Sequence, residues 1–141
     1  MSVRRKQLGE AAGGEGLGCS LYELPSGEES LPYHYHTANE EAAYVLLGTG
    51  TLRLADETHR LTAGEYVAFP AGGSGGHKIA NDAEEPLRCL VFSMINDPEV
   101  TVRPDSEKLS VFVESPPGGR EERTIYGYYP MDSNVDYWEG K

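Results

Sequence analysis

Short apolar runs separated by polar turns extend along most of this chain. Strand-like segments occupy residues 17–24, 41–47, 51–55, 58–61, 66–69, 77–81, 87–95, 100–103 and 110–114. The turns between them are rich in glycine, proline, asparagine and aspartate. Short strands that repeat at spacings near ten residues are typical of β-sandwiches and β-barrels. The pattern therefore predicts an all-β fold.

The two ends of the chain differ from this pattern. Residues 13–16 read Gly-Gly-Glu-Gly, which cannot hold a regular element, so residues 1–16 are predicted to be a flexible leader. Residues 17–115 form the predicted barrel domain. Residues 116–119 read Pro-Pro-Gly-Gly and begin a tail, 116–141, with five large aromatic side chains: Tyr126, Tyr128, Tyr129, Tyr137 and Trp138. Exposed aromatic surface is costly in water, so we expect this tail to dock on the barrel or on a second subunit.

Composition and charge narrow the function classes. The 141 residues suit one domain, and 17 glycines with 9 prolines leave little room for long helices. A net charge of −11 repels nucleic acid and anionic membrane surfaces. Neither an apolar run of membrane-spanning length nor an apolar signal segment after the basic residues 4–6 is present. We therefore expect a soluble, cytoplasmic protein with Cys19 and Cys89 as reduced thiols.

The segment from residue 32 to residue 41 carries the candidate chemistry. His34 and His36 are two positions apart, so in a strand their imidazoles point to one side. Glu41 reaches the same place only if the chain turns at residues 37–39. Two imidazoles and a carboxylate are suitable ligands for Fe, Mn, Zn, Ni or Cu, and His77 is available as a fourth. These residues predict one divalent metal ion per chain.

The same residues resemble the motifs of the cupin family. His34-x-His36-x4-Glu41-x6-Gly48 matches the first cupin motif, although Gly27 lies one position farther from His34 than the motif asks. The second motif is similar to Gly64-x5-Pro70-x-Gly72 followed by His77-x3-Asn81, with four residues instead of two between Gly72 and His77. The resemblance covers about residues 17–95.

This resemblance implies a jelly-roll β-barrel whose mouth holds a divalent metal on His34, His36, Glu41 and His77. Glu40 is an alternative ligand, because the motif allows three or four residues before its glutamate. The six-residue gap to Gly48 favours Glu41, which leaves Glu40 for solvent.

Two function classes remain open from the sequence. The first is a metal-dependent enzyme that acts on a small molecule, with dioxygenase or lyase chemistry at the metal favoured over acid–base isomerisation, because no second histidine is expected in the interior. The alternative is a non-catalytic module that binds a metal or small ligand for sensing or storage. In either class we expect a homodimer, since the strands near the site and the aromatic tail offer apolar surface.

Overall fold

The computed structural model describes residues 3–114 and 123–140. The described residues are mostly strand: β1 Arg4–Gln7, β2 Leu17–Leu24, β3 Tyr35–His36, β4 Glu41–Leu47, β5 Thr49–Arg53, β6 Thr58–Thr62, β7 Tyr66–Phe69, β8 Lys78–Ala80, β9 Leu87–Met94, β10 Glu99–Arg103, β11 Lys108–Val113 and β12 Ile125–Pro130. A single-turn helix, α1 Leu8–Ala11, follows β1, and short 3₁₀ turns occupy Gly73–Gly75 and Pro104–Ser106. The predicted all-β fold is confirmed. No helix among the described residues is long and apolar enough to cross a membrane.

The strands form three antiparallel sheets. The five-stranded sheet has the order β1-β2-β9-β4-β7, the four-stranded sheet β12-β11-β10-β3, and the three-stranded sheet β6-β5-β8. Most neighbours in these sheets are far apart in sequence: β2, for example, pairs along its whole length with β9. Parts of the chain that are distant in sequence therefore meet across each sheet.

One end of the structure is a packed apolar core. It lies between the five-stranded and three-stranded sheets, and its buried members are Leu24, Ala43, Val45, Leu52, Leu61, Phe69, Ile79, Leu87 and Cys89. Ala43 and Val45 alternate with outward-facing residues on β4 and are completely buried, as strand periodicity predicts. Gly48 closes β4 at φ +87°, where an added Cβ would lie 2.4 Å from the Pro86 carbonyl oxygen. The glycine that ends the first motif is thus required by both backbone angle and space.

The other end is open. There the five-stranded and four-stranded sheets face each other across a cavity of about 290 Å³. Alternate residues of β2 line it, at Gly18, Ser20, Tyr22 and Leu24. Some inward side chains of the five-stranded sheet therefore pack in the core, and others line the cavity.

The termini depart from the sequence-based expectations. The predicted leader without regular structure is wrong for residues 4–11, because β1 pairs with β2 from Arg4↔Glu23 to Gln7↔Ser20 and α1 follows. Its side chains are mostly polar and exposed, so apolar patterning gave no signal. In the tail, β12 pairs with β11 from Lys108↔Pro130 to Val113↔Ile125, whereas Tyr137 and Trp138 are exposed. The predicted break at residues 116–119 lies outside the described residues.

Candidate metal centre

Four side chains from the two histidine motifs meet where the core ends and the cavity begins. His36 ends β3, Glu41 begins β4, and His34 and His77 stand just before β3 and β8. The backbones of His34 and His77 form an isolated bridge, with His77 N–H donating to the His34 carbonyl at 3.0 Å and His34 N–H returning a 3.3 Å bond. This bridge brings the histidine of the second motif beside the pair of the first.

The donor atoms are close together. One ligand atom from each of His34, His36 and Glu41 lies within 4.8 Å of the others. Glu41 Oε1 is 3.1 Å from His36 Nε2 and 3.5 Å from His77 Nε2. The His34 and His77 rings are 4.8 Å apart between centroids. His77 thus borders the three-residue cluster through Glu41 and His34.

Each histidine is oriented by a partner on its other ring nitrogen. Nδ1 of His34 contacts the Pro32 carbonyl at 2.8 Å, and Nδ1 of His77 contacts the Gly75 carbonyl at 2.8 Å. Nδ1 of His36 lies 3.2 Å from Glu99 Oε2. In the neutral imidazole, a carbonyl or carboxylate acceptor places the single ring proton on Nδ1 and leaves the lone pair on Nε2. This is the tautomer in which Nε2 can bind a metal.

Glu99 is a buried carboxylate that the sequence did not single out. It has no exposed surface and accepts hydrogen bonds from the backbone N–H groups of Thr37 (3.2 Å) and Ala38 (3.0 Å) and from the Asn39 side chain. These bonds hold the turn between His36 and Glu41. A single carboxylate therefore fixes both the His36 ring and the turn that lets Glu41 reach the same face.

The protonation equilibria reflect this crowding. Burial and the neighbouring histidines lower the pKa of His34 to about 4. Burial alone would also lower the pKa of His36, but the carboxylates of Glu41 and Glu99, which face its two ring nitrogens, raise it to about 9. The pKa of Glu41 is lowered because His36 and His77 outweigh the effect of its burial. Two carboxylates thus draw positive charge to the position that His36 occupies.

The donor set fits a divalent cation. His36 Nε2 is buried and lacks a hydrogen-bond partner among the described residues, although Glu41 is close. An orphaned buried nitrogen is costly unless something outside the protein satisfies it. Three imidazoles and a carboxylate are the ligands that first-row transition metals and zinc accept. The cluster could therefore hold a metal ion.

Glu40 and Glu41 take different positions. Glu40 is exposed to solvent, whereas Glu41 points into the cluster. Glu41 is thus the glutamate that lies beside the histidines, and Glu40 is not.

The longer second motif is accommodated by the glycine-rich loop. Its extra residues form the turn Gly73–Gly75, and Gly72 N–H anchors the loop on the His36 carbonyl at 2.7 Å. An added Cβ on Gly75 would lie 1.7 Å from the Pro70 carbonyl oxygen, so only glycine fits there. Gly75 in turn supplies the carbonyl that orients His77. The insertion thus contributes to the site as well as fitting around it.

Above the cluster, the cavity is lined by cationic and phenolic side chains. Three arginines, Arg5, Arg103 and Arg123, face it together with Tyr22, Tyr126 and Tyr128. No sequence pattern marks this set, because its members lie on β1, β2, β10 and β12 or just before β12. Each of them lies among other polar residues of its own segment, so its position alone does not indicate a binding site. Only the pairing of the strands places them around one space.

The chain is similar to known cupin proteins. The sequence profile of the cupin domain family matches residues 20–93. A putative sugar phosphate isomerase from Acidithiobacillus ferrooxidans is 33% identical, with a TM-score of 0.80, over 94% of this chain and 80% of that one. A sugar phosphate isomerase of the cupin superfamily from Silicibacter pomeroyi is 25% identical, with a TM-score of 0.81, over 93% of this chain and 78% of its own.

More distant similarity extends to other cupins. A predicted oxalate decarboxylase from Thermotoga maritima is 24% identical, with a TM-score of 0.57, over 65% of this chain and 79% of that chain. At that identity the similarity concerns the fold alone. No curated protein is similar enough to count as a match. The profile match over half of the chain and the 33% identical structure, together with both histidine motifs at one site, show that this chain belongs to the cupin family.

Proposed function

We propose that this protein is a metal-dependent enzyme that interconverts the aldose and ketose forms of a small phosphorylated sugar. The observation that carries the proposal is the convergence of His34, His36, Glu41 and His77, each histidine locked by its Nδ1 partner, at the floor of a 290 Å³ cavity. The similarity over nearly the whole chain to two structures named as sugar phosphate isomerases supports the reaction class.

In this proposal the four residues together bind one divalent metal ion. His34, His36 and His77 would each bind it through Nε2, and Glu41 would bind it through Oε1. When bound, such an ion polarises a carbonyl or hydroxyl oxygen of the substrate. Phe69 stacks on the His77 ring with centroids 3.6 Å apart and planes 10° apart, and so fixes that ring from the core side.

Aldose–ketose interconversion also needs groups that move protons between adjacent carbons and their oxygens. The absence of a second interior histidine argued against this chemistry from the sequence. The cavity offers phenols instead: the hydroxyls of Tyr126 and Tyr128 are 3.1 Å apart. Burial alone would raise the pKa of Tyr128, but hydrogen bonds from Tyr126 and Arg103 lower it. Tyr128 is therefore the side chain that we propose as a proton carrier.

The experiment combines metal analysis with an isotope assay. Purified protein should contain about one divalent metal per chain by mass spectrometry of the metals. His36→Ala and Glu41→Gln should lose most of it, and Glu40→Gln, whose side chain is exposed, is the matched control. In D₂O, proton NMR should show deuterium entering the carbon beside the carbonyl of a converted sugar phosphate.

Three results would argue against the proposal. Unchanged turnover by the metal-free protein would show that the reaction does not depend on a metal. Full metal occupancy without conversion or exchange of any of a panel of three- to six-carbon sugar phosphates would favour a binding module. Equal metal loss in Glu40→Gln and Glu41→Gln would contradict the assigned ligand.

We also propose a homodimer formed through the outer face of the five-stranded sheet. Tyr44, Tyr66, Phe92 and Met94 are exposed there, and Tyr44 pairs directly with Tyr66 across β4 and β7. A continuous apolar sheet face is the kind of surface that a second subunit covers.

A further inference from the structure

We propose that Arg5 and Arg103, assisted by Arg123, form a phosphate-binding subsite at the mouth of the cavity opposite the histidine cluster. This inference rests on the proposed function, because it identifies what holds the far end of that substrate. It concerns residues that neither histidine motif includes.

The charge of the cavity is opposite to that of the protein. The whole chain carries 23 acidic and 12 basic residues, yet among residues 3–114 and 123–140 the cavity is lined by three arginines and a single carboxylate, Glu41. Glu41 is already in contact with His36 and His77. Glu41, at the floor of the cavity, therefore does not neutralise the arginines at the mouth. A cleft lined by positive charge concentrates negatively charged ligands.

Two of the cavity arginines, Arg5 and Arg103, differ from the four described arginines outside the cavity. Those four all pair with carboxylates: Arg4 and Arg88 with Glu23, Arg53 with Asp105, and Arg60 with Asp82. Arg5 and Arg103 make no ion pair with a carboxylate within residues 3–114 and 123–140. Both arginines line the cavity, so their charge is available to an anionic ligand there.

Arg103 has an unsatisfied donor. Its Nε is buried and has no hydrogen-bond partner among the described residues. Its guanidinium carbon lies over the Tyr128 ring, 4.7 Å from the ring centroid, and this cation–π contact helps to hold the group at the cavity wall. A buried guanidinium donor without an acceptor is destabilising in the free protein and is compensated when an oxyanion binds.

The other two arginines are held in place by neighbours that leave room for a ligand. Arg5 Nε donates to Ser20 Oγ at 3.3 Å. Arg123 stacks on Phe112 and Tyr126, at 5.0 and 4.8 Å from the ring centroids. Planar guanidinium groups fixed in this way suit the several oxygens of a phosphate, which accept bidentate bonds.

The spacing from the histidine cluster suits a substrate with a reactive end and a charged end. On β10, Thr101 pairs with His36, and Arg103 follows two positions later on the same face, about 7 Å farther along the strand. Arg5 lies on β1, separated from β4 by β2 and β9 in the sheet order. A small phosphorylated sugar carries its carbonyl and its phosphate at opposite ends and can therefore reach both places.

Calorimetric titration with three five-carbon probes tests the subsite. Ribose 5-phosphate, ribonate and ribose carry a phosphate, a carboxylate and no charge, respectively. We expect ribose 5-phosphate to bind at least tenfold more tightly than either of the others. Arg103→Met should weaken that binding about ten- to a hundredfold, as expected for the loss of charge-assisted hydrogen bonds. Arg60→Met, which removes an exposed arginine outside the cavity, should leave it unchanged.

Further variants protect the test from misfolding. Arg103→Lys keeps the charge and the stem, so it should fold and bind ribose 5-phosphate with an intermediate affinity. Arg5→Met lies on an exposed edge strand and should weaken binding at least threefold without lowering the melting temperature. Equal affinity for ribose and ribose 5-phosphate would overturn the proposal, as would tighter binding of ribonate or an unaltered affinity in both methionine variants.

The subsite and the metal-dependent reaction can fail separately. After removal of metal by a chelator, the protein should still prefer ribose 5-phosphate over ribose, since the arginines are not metal ligands. If the metal-free protein prefers ribose 5-phosphate but the metal-loaded protein converts no sugar phosphate, the phosphate subsite is supported and the proposed reaction is refuted. Conversion of unphosphorylated sugars as efficiently as phosphorylated ones would keep the reaction and refute the subsite.

Discussion

Replacement of Glu99 by glutamine tests how the fold prepares the histidine cluster. The two side chains have nearly the same shape, but the amide puts an NH₂ group where one carboxylate oxygen stood. Glu99 Oε1 accepts from the backbone of Thr37 and Ala38, and Oε2 accepts from His36 Nδ1 and Asn39. The single amide oxygen of glutamine can accept from only one of these two pairs of donors. Its NH₂ group must then face the other pair, with which it cannot form the same hydrogen bonds.

The consequence for His36 is a change of tautomer. If the amide oxygen serves the backbone pair, the amide N–H faces His36 Nδ1, which must then accept a hydrogen bond. The imidazole proton moves to Nε2, the nitrogen that faces Glu41. A protonated Nε2 cannot bind a metal, and loss of such an orienting partner typically costs about 10- to 100-fold in metal affinity.

The stability of the metal-free protein should fall as well. Each hydrogen bond to a buried charge contributes about 1.5–3 kcal/mol. Loss of the Asn39 bond and weakening of the others predict a loss of about 3 kcal/mol in the free energy of unfolding. For a chain of this length that corresponds to a melting temperature about 10 °C lower.

Two measurements check this prediction: a competitive metal titration with a chromophoric chelator, and thermal unfolding of the metal-free protein. Glu40→Gln is the matched control, because it makes the same chemical change one position from Glu41 on an exposed side chain. Wild-type metal affinity in Glu99→Gln would refute the tautomer argument even if the protein were less stable. A melting temperature within 2 °C of wild type, with unchanged affinity, would refute the role of Glu99 altogether.

Three further predictions concern the metal, the loop and the assembly. EDTA should lower the melting temperature by about 5–15 °C, because the loss of a metal present at 100 times its Kd removes about 2.7 kcal/mol of stability. The protein should stay folded at room temperature, since the apolar core remains. Identical melting curves with and without EDTA would contradict a bound metal. Gly75→Ala should lower metal affinity in the same titration, because its Cβ would collide with the Pro70 carbonyl and displace the carbonyl that orients His77, whereas Gly73→Ala has open space and is the control. Sedimentation should give a dimer at micromolar concentration, and Tyr66→Lys should shift it toward monomer; a 15.4 kDa wild-type species would refute the proposed interface.

Local pattern determined much of this protein. Period-two alternation and the turn residues predicted nine of the observed strands, β2 and β4–β11, to within about two residues at each end. The His34-x-His36 spacing is a local feature too, since strand geometry decides that side chains two positions apart share a face. His77 was available as a fourth ligand, the resemblance to the second motif supported it, and the structure places it beside Glu41 and His34.

Tertiary structure decided everything that depends on which strands become neighbours. Glu99 reaches His36 across 63 positions because β10 pairs with β3, and no periodic pattern records that pairing. Strands β1 and β12 are polar or aromatic on both faces and form because β2 and β11 offer them unpaired edges. These two edge strands and the end of β10 bring Arg5, Tyr128 and Arg103 to the cavity. Backbone hydrogen bonding between strands is indifferent to side-chain identity, so the sequence defined the candidate metal ligands while the sheet order alone assembled the surface that faces them.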